Sequence, residues 1–151
     1  MGTKQLNRLL EKLDSIAVIG LGYTGLPLAL RLAERFSVIG YDSDVIRIGQ
    51  LQQGIDSNQE LALSGSLNLS SLFTSDSSLL ANAKVFIIAV PTPVDQRKEP
   101  DLSYLKVALE QVGTYLKPGD CVVVESTVYP GCTEEFCAPI LEKISGLKLG
   151  E

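Results

Sequence analysis

Short apolar runs alternate with stretches of helical spacing along the whole chain. Leu6, Leu9, Leu10 and Leu13 lie on one face of an amphipathic helix predicted over Thr3–Leu13. Ile16-Ala17-Val18-Ile19 is long enough for one buried strand and too short for a helix. Leu26, Ala29, Leu30 and Ala33 recur at helical spacing and predict a helix ending near Arg35. A second strand is expected over Ser37–Asp42, then a helix over Ser43–Gln53, capped by Ser43 or Asp44 and stopped by Gly54. Ile55–Ser71 is polar and serine-rich, a loop region with room for one helical turn. Leu72–Thr74 reads as a short third strand, and Ser75 or Asp76 opens a brief helix to Asn82. Lys84–Val90 is the clearest buried strand, ended by Pro91-Thr92-Pro93. After a charged loop, Asp95–Pro100, Asp101 caps a helix over Leu102–Leu116 with Leu105, Ala108, Leu109 and Val112 on one face. Cys121–Glu125 is the fifth strand, and Thr133–Ile144 the last helix.

Strands that alternate with helices predict an α/β architecture: a doubly wound parallel sheet with helices on both faces. Five strands fit the order 3-2-1-4-5, which places a ligand crevice at the carboxyl ends of strands 1 and 4. Residues 1–14 are expected to form a helix packed on the outside, and residues 15–151 the domain itself.

The glycines give this crevice its chemistry. Gly20, Gly22 and Gly25 follow the first strand directly in the spacing G-x-G-x-x-G and open the first long helix. Gly20 permits a tight turn, Gly22 lets a diphosphate approach the main chain, and Gly25 lets helix and strand pack closely. The free amides of the first helical turn, with the helix dipole behind them, then favour the phosphate charge. Asp42 ends the second strand, where a carboxylate accepts hydrogen bonds from an adenosine ribose. It would also repel a 2′-phosphate, which favours NAD over NADP. Arg47 is expected to flank the adenine; a nearby arginine can also accommodate a 2′-phosphate, and a solvated charge on the second helix is the plain alternative.

Two further loops reach the same edge. The prolines of Pro91-Thr92-Pro93 stiffen a turn that presents the Thr92 hydroxyl. Ser126-Thr127 follows the fifth strand, and Thr127 is expected near the nicotinamide, where a hydroxyl can orient a substrate oxygen or a water. Glu134 and Glu135 suit the start of the last helix. Cys132 precedes that helix, where a thiol pKa can fall, but a structural role is the expectation for all three cysteines.

Composition narrows the partners. A net charge of −5 without any Lys/Arg cluster argues against nucleic acid. No apolar run approaches a membrane span and no signal-peptide pattern is present, so no membrane partner is expected. Three cysteines, an odd number without metal-ligand spacing, fit a reduced, cytoplasmic protein with no metal. The chain has no histidine, so any general base on it is a carboxylate, lysine or tyrosine.

GLGYTGLPLAL, VPTPVD and VVVESTVYPGCTEE, in that order, resemble the N-terminal domain of the UDP-glucose/GDP-mannose dehydrogenase family, from about Ile16 onward. The YPGCTEE continuation is most similar to the branch that acts on UDP-N-acetylhexosamines in bacterial polysaccharide biosynthesis. The resemblance implies a Rossmann fold and an oxidoreductase that uses two NAD to convert a sugar 6-hydroxymethyl to a carboxylate. It implies that Gly20, Gly22, Tyr23, Thr24 and Gly25 hold the pyrophosphate. Asp42 and Arg47 would serve the adenosine, and Pro91, Thr92 and Thr127 the cofactor's other end, with Thr127 near the catalytic water. In the family the nucleophilic cysteine and most of the sugar-nucleotide site lie in a central helical dimer region and a C-terminal domain. The sixth strand and those domains are therefore expected to be missing here, leaving a chain that does not turn over UDP-sugar alone and whose own oligomeric state is open. A non-catalytic NAD(H)-binding module is the alternative. A dehydrogenase of small hydroxy acids fits the first motif but not the VPTP and ESTVYPG loops.

Overall fold

The computed structural model describes residues 2–58, 68–94 and 100–150. Five parallel strands form one sheet in the order β3-β2-β1-β4-β5. They are β1 (Ser15–Ile19), β2 (Ser37–Tyr41), β3 (Phe73–Thr74), β4 (Ala83–Ile88) and β5 (Cys121–Val124). The helices are α1 (Thr3–Leu10), α2 (Gly25–Ala33), α3 (Val45–Gln52), α4 (Leu69–Leu72), α5 (Ser103–Tyr115) and α6 (Ala138–Ser145). A 3-10 turn, Ser77–Asn82, leads into β4.

Alternation along the central strands sorts the core into two layers. Ala17, Ile19, Phe86 and Ile88 pack with Leu105, Leu109 and Val112 of α5. Val18 and Val38 pack on the other face with Leu26 and Ala29 of α2 and Ile48 and Leu51 of α3. Phe86 is fully buried at the centre of the first layer, and full burial of such a side chain contributes about 1.5–3 kcal/mol. β2 holds β3 closely through a glycine: a Cβ at Gly40 would lie 2.7 Å from the Phe73 ring.

Several boundaries differ from the sequence reading. The first helix ends at Leu10, because Lys12 takes a left-handed φ of 56° and turns the chain away. Only Leu9 of its predicted apolar face is buried, while Leu6, Leu10 and Leu13 are exposed. Leu9 packs with Ile16 and Val85, and polar contacts add to it: Gln5 Nε2 donates to the Gly119 carbonyl, and Arg8 donates two hydrogen bonds to Asp14 at 2.7 and 2.8 Å. The fourth strand stops at Ile88, since Val90 precedes a proline and leaves the ladder. The last helix opens with one wide π turn, Thr133–Cys137, before α6. Pro139, which brings no N–H to the helix, follows directly. The one-turn helix allowed for in the serine-rich loop is α4, and Asp44 and Asp76 are the caps of the helices that follow them. The charged loop at 95–99 and the loop segment 59–67 lie outside the described residues. β5 is an edge strand, half-exposed along its length.

Candidate cofactor site

Gly20, Gly22 and Gly25 sit at the carboxyl end of β1, each for a different reason. Gly20 has a φ of +90°, the left-handed region that favours glycine, and a Cβ there would touch the Ala89 carbonyl at 3.0 Å. A Cβ on Gly25 would lie 1.8 Å from the Gly20 carbonyl oxygen, so α2 can leave the turn only if that residue has no side chain. Gly22 has neither constraint. Its φ is ordinary, and a Cβ on it would meet nothing within 4 Å. It faces open space at the start of a helix whose N-cap, Thr24, makes no side-chain cap hydrogen bond. A diphosphate fits this arrangement: it would occupy the volume a side chain would fill and accept from the exposed amides.

Two adjoining hollows run from this turn along the strand ends. The first, about 740 Å³, lies toward β2 and is lined by Gly20, Gly22, Asp42, Arg47 and residues of α5. The second, about 350 Å³, lies toward β5 and is lined by Tyr23, Thr24, Thr92, Glu125 and Thr127. Gly22, Val90 and Pro91 belong to both. The sizes match those of small-molecule sites, and the shared wall is the glycine turn. A molecule of two halves joined by a diphosphate suits this shape.

The first hollow is preorganised by main-chain bonds. Asp42 Oδ2 accepts from the Leu21 amide at 2.8 Å and Oδ1 from the Asp44 amide at 3.0 Å. The carboxylate is thus locked between the glycine turn and α3, with lone pairs left for a ribose diol. Arg47 is not the solvated charge considered from sequence, nor a cation free to reach a ligand. It is 8% exposed, donates through Nε and Nη2 to the Leu21 carbonyl and through Nη1 to Ser57, and pairs with Asp56 at 2.8 Å. Its charge is matched inside the protein, and its planar fork supports the glycine turn from below. Asp42 is thus the carboxylate between the glycine turn and α3 in the lining of this hollow.

The second hollow is assembled by two loops that tie to each other. Thr92 Oγ1 donates to the Thr127 carbonyl at 2.7 Å, and Ser126 Oγ donates to the Val90 carbonyl at 2.7 Å. Thr92 therefore lines the hollow but gives its proton to the neighbouring loop, leaving the oxygen as an acceptor. Thr127 and Tyr23 are exposed there, and both line the hollow. The cysteines stand apart. Cys121 opens β5 at the opposite end of the sheet, and Cys132 and Cys137 are buried in the core. Burial, reinforced by Cys132, pushes the Cys137 thiol up to about 12, which keeps it from acting as a nucleophile. Among the described residues no cluster of three or more His, Cys, Asp or Glu could hold a metal, and no helix is long and apolar enough to cross a membrane.

Four contributors escaped the sequence reading. Tyr104 and Val107 of α5 wall the first hollow; their signal was two apolar residues out of phase with the buried stripe of that helix, and both are exposed. Asn58 lines both hollows from a loop without periodicity. Glu125, taken as the last strand residue, stands just beyond β5 in the second hollow.

The comparisons with known proteins agree with this geometry. A family model described as the UDP-glucose/GDP-mannose dehydrogenase family, NAD binding domain, matches residues 14–150. The chain is 50% identical over 137 residues to the UDP-N-acetyl-D-glucosamine 6-dehydrogenase of Pseudomonas aeruginosa, covering 90% of this chain and 32% of that protein. It is 47% identical over 137 residues to the UDP-N-acetyl-D-glucosamine 6-dehydrogenase of Salmonella typhi, with coverage of 90% and 32%. Among solved structures, the UDP-D-ManNAc dehydrogenase of Pyrococcus horikoshii superposes with a TM-score of 0.79 at 39% identity, over 90% of this chain and 34% of that one. The chain spans about a third of the length of the curated relatives it matches. NAD is the cofactor of the matched domain, in keeping with an open Gly22 and a carboxylate at Asp42. A match that runs almost from end to end, joined to a Rossmann sheet in the expected strand order, places this chain in the UDP-glucose/GDP-mannose dehydrogenase family as its NAD-binding domain.

Proposed function

We propose that residues 15–151, with residues 1–14 docked outside them, are the cofactor-binding part of a cytoplasmic enzyme of polysaccharide biosynthesis. It oxidises the 6-hydroxymethyl of a UDP-N-acetylhexosamine to the carboxylate. The identities to UDP-N-acetyl-D-glucosamine 6-dehydrogenases support the sugar class, and three free cysteines support a reducing compartment. Bound NAD supplies the hydride acceptor. The chain's own residues position it: the main chain of Gly20–Gly25, with Tyr23 and Thr24, holds the diphosphate, and Asp42 accepts from the adenosine ribose. Arg47 braces the turn beneath it. Pro91, Thr92 and Thr127 form the wall at the reacting end, where the Thr127 hydroxyl orients a substrate oxygen or a water. Among the described residues no cysteine lines the crevice, and the chain has no histidine. The longer relatives carry further chain, and we assign to such a region the thiol chemistry, most of the sugar contacts and homodimer formation.

The observation that carries this reading is the open space over Gly22, where a Cβ would meet nothing within 4 Å among the described residues. Calorimetric titration with NAD, NADP and UDP-N-acetylglucosamine tests it. NAD is expected to bind measurably, NADP more weakly and the sugar nucleotide hardly at all. Mixing the chain with NAD and sugar nucleotide is expected to give no NADH absorbance; sustained NADH formation would show that this chain carries a complete active site.

A further inference from the structure

We infer that Glu125 makes the crevice discriminate between the two redox forms of its cofactor, holding the oxidised, cationic nicotinamide more tightly than the reduced, neutral one. The inference rests on the cofactor reading above and adds a role for a residue that reading does not use.

Glu125 follows β5 directly and lines the hollow toward that strand. Its backbone is held on both sides. Its own amide donates to the Ile88 carbonyl at 2.8 Å, and the next residue, Ser126, donates through Oγ to Val90. The side chain is exposed. Among the described residues lining this hollow, Glu125 carries the one carboxylate, and none carries a cation; the rest are glycine, hydroxyl, amide and apolar groups. Arg47 lies in the other hollow and is matched by Asp56.

The polarity of the site decides which half of the cofactor meets Glu125. Asp42 lies at the β2 side, where it accepts from a ribose diol, so the adenosine lies there and the nicotinamide reaches the β5 side. The nicotinamide ring bears a unit positive charge when oxidised and none when reduced. The two forms are otherwise nearly the same shape and carry the same diphosphate. A carboxylate that lines the hollow at the ring's end therefore separates them by electrostatics alone, favouring the charged form. Preferential release of the neutral product suits a domain whose reaction consumes two oxidised cofactors for each sugar.

Calorimetric titration of the wild-type chain and of Glu125→Gln with NAD⁺, NADH and ADP-ribose tests the inference. The ratio of NAD⁺ to NADH affinity is expected to fall about threefold to tenfold in Glu125→Gln, the range left after solvent screening of a partly exposed charge. Any repulsion between Glu125 and the diphosphate cancels in that ratio. Glu125→Asp is expected to keep most of the preference, and raising the salt from 0.05 M to 1 M to shrink the wild-type preference toward that of Glu125→Gln. ADP-ribose, which lacks the ring, is expected to lose no affinity in either variant. An unchanged NAD⁺ to NADH ratio in Glu125→Gln, with both forms bound, would overturn the inference alone. Equal losses for NAD⁺, NADH and ADP-ribose would assign Glu125 a purely structural role and overturn it too. Failure of wild-type protein to bind all three would overturn the cofactor reading and this inference with it.

Discussion

The two hollows of the crevice are built by different means. Beside β2, every key group is fixed by the main chain or by a buried charge pair: Asp42 by two amides, Arg47 by the Leu21 carbonyl and Asp56. Beside β5, two loops brace each other through hydroxyl-to-carbonyl bonds between residues 35 and 36 positions apart, and the ends of the side chains stay exposed. The hollow beside β2 is held rigidly, while the one beside β5 is a lighter frame. Substitutions should therefore damage the first through folding and the second through binding.

The largest effect is expected at Arg47. Arg47→Ala removes the guanidinium from a carboxylate whose side chain is 1% exposed, and breaking a buried pair costs about 3–5 kcal/mol. Urea denaturation should show that loss, together with a weaker NAD site. If Arg47→Ala were as stable as wild type, the brace under the glycine turn would have no structural weight. Gly25→Ala comes next. Its Cβ would force α2 away from Gly20, and overpacking of this kind costs about 1–3 kcal/mol. On the β5 side, Thr92→Val deletes one cross-loop hydrogen bond, worth about 0.5–1.5 kcal/mol. It should lower NAD affinity with little change in the denaturation midpoint, which is the contrast that separates the two halves.

How far the sequence spoke for each half follows from the same difference. The glycine spacing and Asp42 were legible because they meet within one strand-turn-helix-strand unit, where local geometry leaves few choices. Arg47 was placed on the right element and lines the first hollow, but its burial and its pairing with Asp56 were not legible, since Asp56 lies in an aperiodic loop and pairing cannot be read from spacing. The Thr92 hydroxyl was expected at the crevice, and Thr92 does line it; its donation to the Thr127 carbonyl could not be read, because that contact exists only once β4 and β5 lie side by side. The first helix shows the limit of periodicity itself. Its leucines are spaced for burial, but Lys12 turns the chain, so that only Leu9 is buried and a bidentate Arg8–Asp14 pair supplements its packing.

That pair gives the smallest expected effect, and it lies outside both hollows. The hydrogen bond from Arg8 holds the Asp14 carboxyl below the usual carboxylate range. A lowered carboxyl stabilises the fold above its unfolded value and loses that contribution as pH falls through the folded one. Arg8→Ala should therefore be slightly less stable than wild type at neutral pH, and the two should converge in strong acid. A difference that persisted after Asp14 is protonated would mean that Arg8 acts through packing, not charge.

The most direct test of the cofactor site is Gly22→Ala, with stability and NAD affinity measured on the same preparation. Among the described residues the Cβ meets no atom within 4 Å, and the backbone φ is ordinary, so the denaturation midpoint is expected to hold or rise slightly. NAD affinity is expected to fall at least about tenfold, or 1.4 kcal/mol, because the methyl group enters the space reserved for the diphosphate. Undiminished NAD binding by Gly22→Ala would contradict that assignment of the glycine turn.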